Sequence, residues 1–316
     1  MNKTAFGSEK VIIEHISETD LKTYLVGFDL TDSGESIYRW GNLTNILQKV
    51  IPEFAFGHHV GDKINLSDIT SLLCDAAKSI YKIKEYEEVK KIYVDKNSNI
   101  ADDDDENQFL KRGEFGELIL HLLLRDFQQT IPLLSKIFFK DTYGATVHGF
   151  DAVHIQPQNK TLWLGESKLY LDGKKGIKAL IQDIKEHFKR DYLNDEFTII
   201  SKKLKLFDNI PEKDYWLNLI DKNTKLDTIF SSIVIPLLCT YSCDLFNQYN
   251  NENDSQFIQY YENEMRNLKQ YFDNENDHPL KTNLKIILLI FPVKCKNQLI
   301  KRLHKKLYQL QEIENE

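Results

Sequence analysis

The sequence predicts an α/β fold: a mixed sheet flanked by helices, with an N-terminal α/β region ahead of it. Three observations carry that expectation. Residues 161–165 are apolar on both alternating faces, as in a central strand covered on each side. An aromatic and β-branched run at 146–155 precedes them across Gln156-Pro157-Gln158-Asn159-Lys160, so the two runs read as an antiparallel hairpin. Helical signals stand on both sides: 118–124 is apolar around nearly its whole circumference, and Ile177, Leu180, Ile181, Ile184 and Phe188 recur at helical spacing through 177–192.

Length and composition agree with a sizeable core. With 316 residues, 41% of them hydrophobic, the chain forms one large or two modest domains. Its formal net charge of -7 argues against charge-driven coating of nucleic acid while leaving room for a local basic groove. No stretch of eighteen apolar residues occurs and the first residues lack the apolar core of a signal peptide, so a cytoplasmic location is expected. Cys74, Cys239, Cys243 and Cys295 are scattered without a second metal-ligating pair, which predicts reduced thiols and neither zinc site nor disulfide.

Residues 1–105 mix a short strand at 24–30 with a helical run at 67–84 and carry no spacing that suggests catalysis. They are expected to form a partner-binding region, with a second domain over 106–316. Asp102, Asp103, Asp104, Asp105 and Glu106 mark the boundary, since five consecutive acids repel one another and seldom pack. The run reads as a solvated linker, or as a DNA mimic that covers the active site until a partner moves it.

In the next element, Glu117 falls in line with Leu110, His121 and Leu124 at about 100° per residue, which holds it inside the apolar helix. Glu114, one turn earlier, competes for the same role. The hairpin then lays Asp151 near Glu166. Along the second strand alternate side chains share a face, so Glu166 and Lys168 point one way and Ser167 the other. Alone, such a Glu-x-Lys is better explained by a strand-end ion pair. Taken together, three carboxylates on buried elements are unfavourable without a counter-charge, and a divalent cation is the usual solution. The spacing therefore points to metal-dependent hydrolysis.

The ordered segments Arg112-Gly113-Glu114-Phe115-Gly116-Glu117, Gly149-Phe150-Asp151 and Gly165-Glu166-Ser167-Lys168 resemble the PD-(D/E)xK nuclease superfamily, with its restriction-endonuclease-like core. More narrowly they resemble HamA, the family of nuclease subunits of the Hachiman anti-phage defence system. The likeness spans residues 108–316 in order and hydropathy and is sharp between Arg112 and Lys168. Phe150 stands where the superfamily name places a proline. The resemblance implies DNA as substrate and a helicase, HamB, as partner. On this reading Asp151, Glu166 and the backbone carbonyl of Ser167 hold Mg²⁺ or Mn²⁺, and Glu117 ligates it directly or through water. Lys168 orients the attacking water or helps to deprotonate it.

Two basic groups complete the reading. Lys174, Lys175 and Lys178 surround a glycine turn at a helix N-terminus beside the proposed site, a setting that suits a phosphate and equally suits plain solvent. Near the C-terminus, residues 294–306 hold six positive charges in thirteen residues and no acid, so Lys301, Arg302 and Lys305 suit contacts to a nucleic-acid backbone and equally suit an ordinary solvated helix face. Strands are expected over 228–240 and 283–291, separated by a polar helix over 254–272.

Overall fold

Seen in a computed structural model that describes residues 4–57, 68–80, 90, 113–135, 149–206 and 209–312, the chain is built on nine strands and ten α-helices among those residues. The strands are β1 (Ile12–Ser17), β2 (Leu21–Val26), β3 (Phe28–Leu30), β4 (Ser36–Tyr38), β5 (Ile131–Ser135), β6 (Ala152–Gln156), β7 (Thr161–Tyr170), β8 (Ile233–Ser242) and β9 (Ile286–Val293). The helices are α1 (Trp40–Phe56), α2 (Ile69–Ile80), α3 (Glu114–Asp126), α4 (Gly173–His187), α5 (Arg190–Leu204), α6 (Lys213–Leu219), α7 (Leu226–Ser232), α8 (Leu245–Gln248), α9 (Ser255–Glu275) and α10 (Lys296–Glu312). The acidic run at 102–106, Leu110, Arg112 and residues 146–148 lie outside the described residues, as does the expected boundary at residue 105.

Seven strands form one mixed sheet in the order β1-β2-β9-β8-β7-β6-β5. Its middle is parallel: β7 pairs with β8, β8 with β9, and β9 with β2. Parallel neighbours need long crossovers, and the helices that supply them cover both faces. Accordingly nine of the ten residues of β8 are buried. The outer pairs β1–β2, β6–β7 and β5–β6 are antiparallel. No helix among the described residues is long and apolar enough to cross a membrane.

The N-terminal strands belong to this same sheet, because Leu21, Lys22 and Thr23 pair with Leu288, Leu289 and Ile290. The expected strand at 24–30 is two strands broken at Gly27. A Cβ on that glycine would lie 2.2 Å from Glu252 Oε1, and Glu252 Oε2 accepts the Phe28 N–H at 2.9 Å. The long helix expected to 192 stops at His187. Phe188 turns into the core 5.5 Å from the Phe150 ring, and Lys189 is extended before α5 begins. The strand expected from 228 starts instead at Ile233, behind α7. An apolar run does not distinguish a buried strand from a buried helix, and Asp227 in the first turn favours the helix.

Two helices sandwich β7. A Cβ on Gly165 would sit 2.9 Å from Leu120 Cδ2, and one on Gly116 would sit 3.1 Å from Ser167 Oγ, so α3 lies on the face of Gly165 and Ser167. The opposite face, carrying Glu166 and Lys168, is covered by α4. Behind α3, a buried polar network ties the helices to the sheet. Glu53 Oε1 accepts from Arg125 Nε at 2.7 Å and lies 2.9 Å from His121 Nε2, while His154 Nδ1 meets Thr130 Oγ1 at 2.7 Å.

Candidate nuclease site

The antiparallel register of β6 and β7 builds the site. Ala152 pairs with Gly165, so the preceding residue on one strand, Asp151, lies beside the following residue on the other, Glu166. Both carboxylates are buried, Asp151 at 6% exposure and Glu166 at 2%. Asp151 Oδ2 accepts hydrogen bonds from the Ser167 N–H and from Ser167 Oγ, each at 2.9 Å. That pair fixes one carboxylate against the backbone of the strand that carries the other.

From the opposite side α4 brings two residues that the sequence reading did not single out. Lys168 Nζ lies 2.6 Å from Asp183 Oδ2, and His187 Nδ1 lies 2.6 Å from Glu166 Oε1. The signal was present in the spacing: Asp183 and His187 are four apart and fall along one edge of the apolar stripe Ile177, Leu180, Ile181 and Ile184. Stacking sets the His187 ring, with Tyr192 at 4.4 Å and 11° and Phe150 edge-on at 6.0 Å.

Charge around this cluster defines the state of Lys168. Burial pulls its ammonium toward neutrality, but the carboxylates of Asp183, Glu166 and Asp151 outweigh that and hold its pKa above the ordinary lysine value. Lys168 is therefore a cation at neutral pH. Asp183 is pushed up by burial even with Lys168 beside it, and His187 is pushed down, first by burial.

Glu117 is buried at 4% exposure in the first turn of α3, whereas Glu114 is half-buried. Its neighbour Gly116 rests on Ser167, the residue that anchors Asp151, so α3 approaches the acid pair from the far face of the sheet. This arrangement supplies oxygen donors, a fixed ammonium and a histidine around one strand end.

A family model described as HamA matches residues 5–307, nearly the whole chain. The chain belongs to the HamA family. Membership supports a place for it in a Hachiman defence system. No curated protein matches the chain.

In this HamA-family chain the two basic groups do not share a groove. Lys174, Lys175 and Lys178 are exposed on the first turns of α4, with Lys174 Nζ 5.8 Å from the Tyr271 ring centre. Lys301 is half-buried and Arg302 and Lys305 are exposed on α10, where the Arg302 guanidinium lies 5.5 Å from the Trp40 ring centre. Phe115 of α3 packs against His304 of α10 at 5.1 Å, which puts α10 on the α3 face of the sheet, opposite α4. Only the α4 lysines share the side to which Glu166 and Lys168 point.

For a divalent cation, the chemistry of the donor set fits: Asp151 and Glu166 are hard oxygen ligands from adjacent strand positions, and the Ser167 backbone lies between them and Lys168. Among the described residues, however, no group of three or more His, Cys, Asp and Glu side chains is arranged as a metal cage. The reason is visible in the pairing. Asp183 is turned to the Lys168 ammonium and Glu166 Oε1 to the His187 ring, so protein side chains already engage these carboxylates.

Proposed function

We propose that this HamA-family chain is a Mg²⁺- or Mn²⁺-dependent deoxyribonuclease, the effector of an anti-phage complex with the helicase HamB. The observation that carries the reading is the placement of buried Asp151 beside buried Glu166 with Lys168 on the same face as Glu166. Burial of two carboxylates beside one another favours a divalent counter-ion.

Asp151 and Glu166 would hold the ion with the Ser167 carbonyl, and Glu117 would complete the set directly or through water. When bound, such an ion supplies positive charge to the scissile phosphate and acidifies the attacking water. Ser167 keeps Asp151 oriented through its N–H and hydroxyl. Lys168, held as an ammonium by the carboxylates around it, would place positive charge toward the scissile phosphate and orient the attacking water. The lysines at the start of α4 extend a positive edge along which a DNA strand can lie. With a net charge of -7 the chain binds duplex DNA weakly alone, so a helicase that holds and feeds the strand suits it. Residues 1–105 are proposed as the partner-binding region.

A second reading keeps the fold as a DNA-binding or scaffold subunit without chemistry, and the carboxylates engaged by Lys168 and His187 favour it. Titration of the purified chain with Mn²⁺, followed by DNA cleavage with and without the helicase and with EDTA, separates the two. Cleavage that needs the metal and stops with EDTA supports the nuclease; no metal binding and no cleavage supports the scaffold.

A further inference from the structure

We propose that Asp183 and His187 are positioning residues for the reaction, acting through Lys168 and Glu166 respectively; the inference rests on the nuclease reading above. Two rungs join α4 to β7. Glu166 and Lys168 are two residues apart on a strand, about 6.6 Å, and Asp183 and His187 are four apart on a helix, about 6 Å. The spacings match, and the order is reversed, with the earlier strand residue meeting the later helix residue, as an antiparallel helix requires.

The helix is held in this register by its own apolar side. Ile177, Leu180, Ile181 and Ile184 are buried, and Gly176 comes so close to β8 that a Cβ there would lie 2.7 Å from Cys239 Sγ. Neither rung is placed by a flexible loop.

Each rung has a distinct task. Asp183 holds the Lys168 ammonium on the α4 side, so that it does not settle on Glu166 and Asp151 and compete for the oxygens a cation needs. His187 holds Oε1 of Glu166, and its ring is itself fixed by Tyr192 and by Phe150, the neighbour of Asp151. One stack thus sets the angle of the carboxylate and the base of the other acid. Partners of this kind behind ligand groups typically matter by about 10- to 100-fold in metal affinity or rate.

The test uses the full chain with its helicase and three readouts: Mn²⁺ affinity by calorimetry without DNA, kcat and KM for DNA cleavage, and thermal midpoint. Asp183→Asn is expected to weaken Mn²⁺ binding about 10-fold and lower kcat by about 10- to 100-fold with KM nearly unchanged. Asp183→Glu should regain most of both. In a Lys168→Ala background Asp183→Asn should change Mn²⁺ affinity by no more than about twofold, because its effect runs through the lysine. His187→Ala should lower kcat, and His187→Asn, whose side-chain amide can replace the Nδ1 donor, should restore part of it. Wild-type Mn²⁺ affinity and kcat in Asp183→Asn and His187→Ala, or a loss confined to the thermal midpoint, would overturn the proposal and leave a plain tie between helix and sheet. A wild-type chain that neither binds Mn²⁺ nor cleaves would overturn the nuclease reading, and this inference with it.

Discussion

Asp151 Oδ2 is bonded to Ser167 twice, by the backbone N–H and by the hydroxyl, each at 2.9 Å. Only the second bond can be removed by substitution. Ser167→Ala should cost about 1 kcal/mol of stability and leave Asp151 anchored by the N–H, with cleavage reduced only a few-fold. Ser167→Val should do worse, because Gly116 approaches Ser167 closely and leaves no room for a second branch. Chemical denaturation of both variants beside cleavage rates checks the ordering; equal stability for the two would show that α3 does not press on this residue.

Lys168 gives a pH prediction with a definite sign. Its pKa is raised above the ordinary lysine value, so the ammonium is fully present below that value and is lost only as pH rises through it. The rate between about pH 6 and 9 should therefore contain no limb from Lys168, and Lys168→Met should lower it by roughly 100-fold at every pH in that window. A pH–rate profile of wild type and variant decides. A rate that instead rises with pH through a pKa near neutrality, with that rise lost in the variant, would identify Lys168 as the proton acceptor.

The parts of this site that follow from local periodicity were legible in the sequence. Glu166 and Lys168 share a face because strands alternate, and Asp151 lies beside Glu166 because a Pro-Asn turn joins two strand-like runs. What was not legible depends on distant chain segments. Asp183 and His187 gain meaning only once α4 is laid antiparallel across β7. The joining of β2 to β9 pairs Leu21 with Leu288, and nothing in either short apolar run specifies the other. Likewise the basic stretch at 294–306 has the charge expected of a nucleic-acid contact, yet Phe115 against His304 fixes α10 on the face away from Glu166 and Lys168.

Buried His154 makes stability sensitive to acid. Burial first, then the charges of His121 and Arg125, hold its pKa well below the ordinary histidine value. Between the folded and unfolded values the unfolded chain binds more protons. The contribution is thus complete above about pH 6.5 and is lost as pH falls toward the folded value. The melting temperature should be lower at about pH 5 than at about pH 7.5, and His154→Phe should narrow that gap. His187 is depressed as well and acts in the same direction, so the gap should shrink without closing. An unchanged gap would remove His154 from the account.

The place of β1 and β2 in the sheet predicts the outcome of truncation. Deleting residues 1–100 strips β9 of β2, one of its two neighbours, and removes α1, which packs on α3 and α10. The truncated chain should fail to fold cooperatively, as circular dichroism during heating would show. Partner binding by this region is then better probed by point substitution on the β3–β4 hairpin, where Leu30 is 72% exposed and Ile37 49%. A soluble truncated chain with a sharp melting transition would contradict the shared sheet.

Cleavage of DNA by the wild-type chain and by Glu166→Ala, each assembled with the helicase in Mg²⁺, bears most directly on the central claim. Glu166 is 2% exposed and paired with His187, so the variant's thermal midpoint must be measured alongside to show that it is folded. The account predicts Mg²⁺-dependent cleavage by the wild type and none above background by a folded Glu166→Ala. Equal cleavage by the two would contradict it.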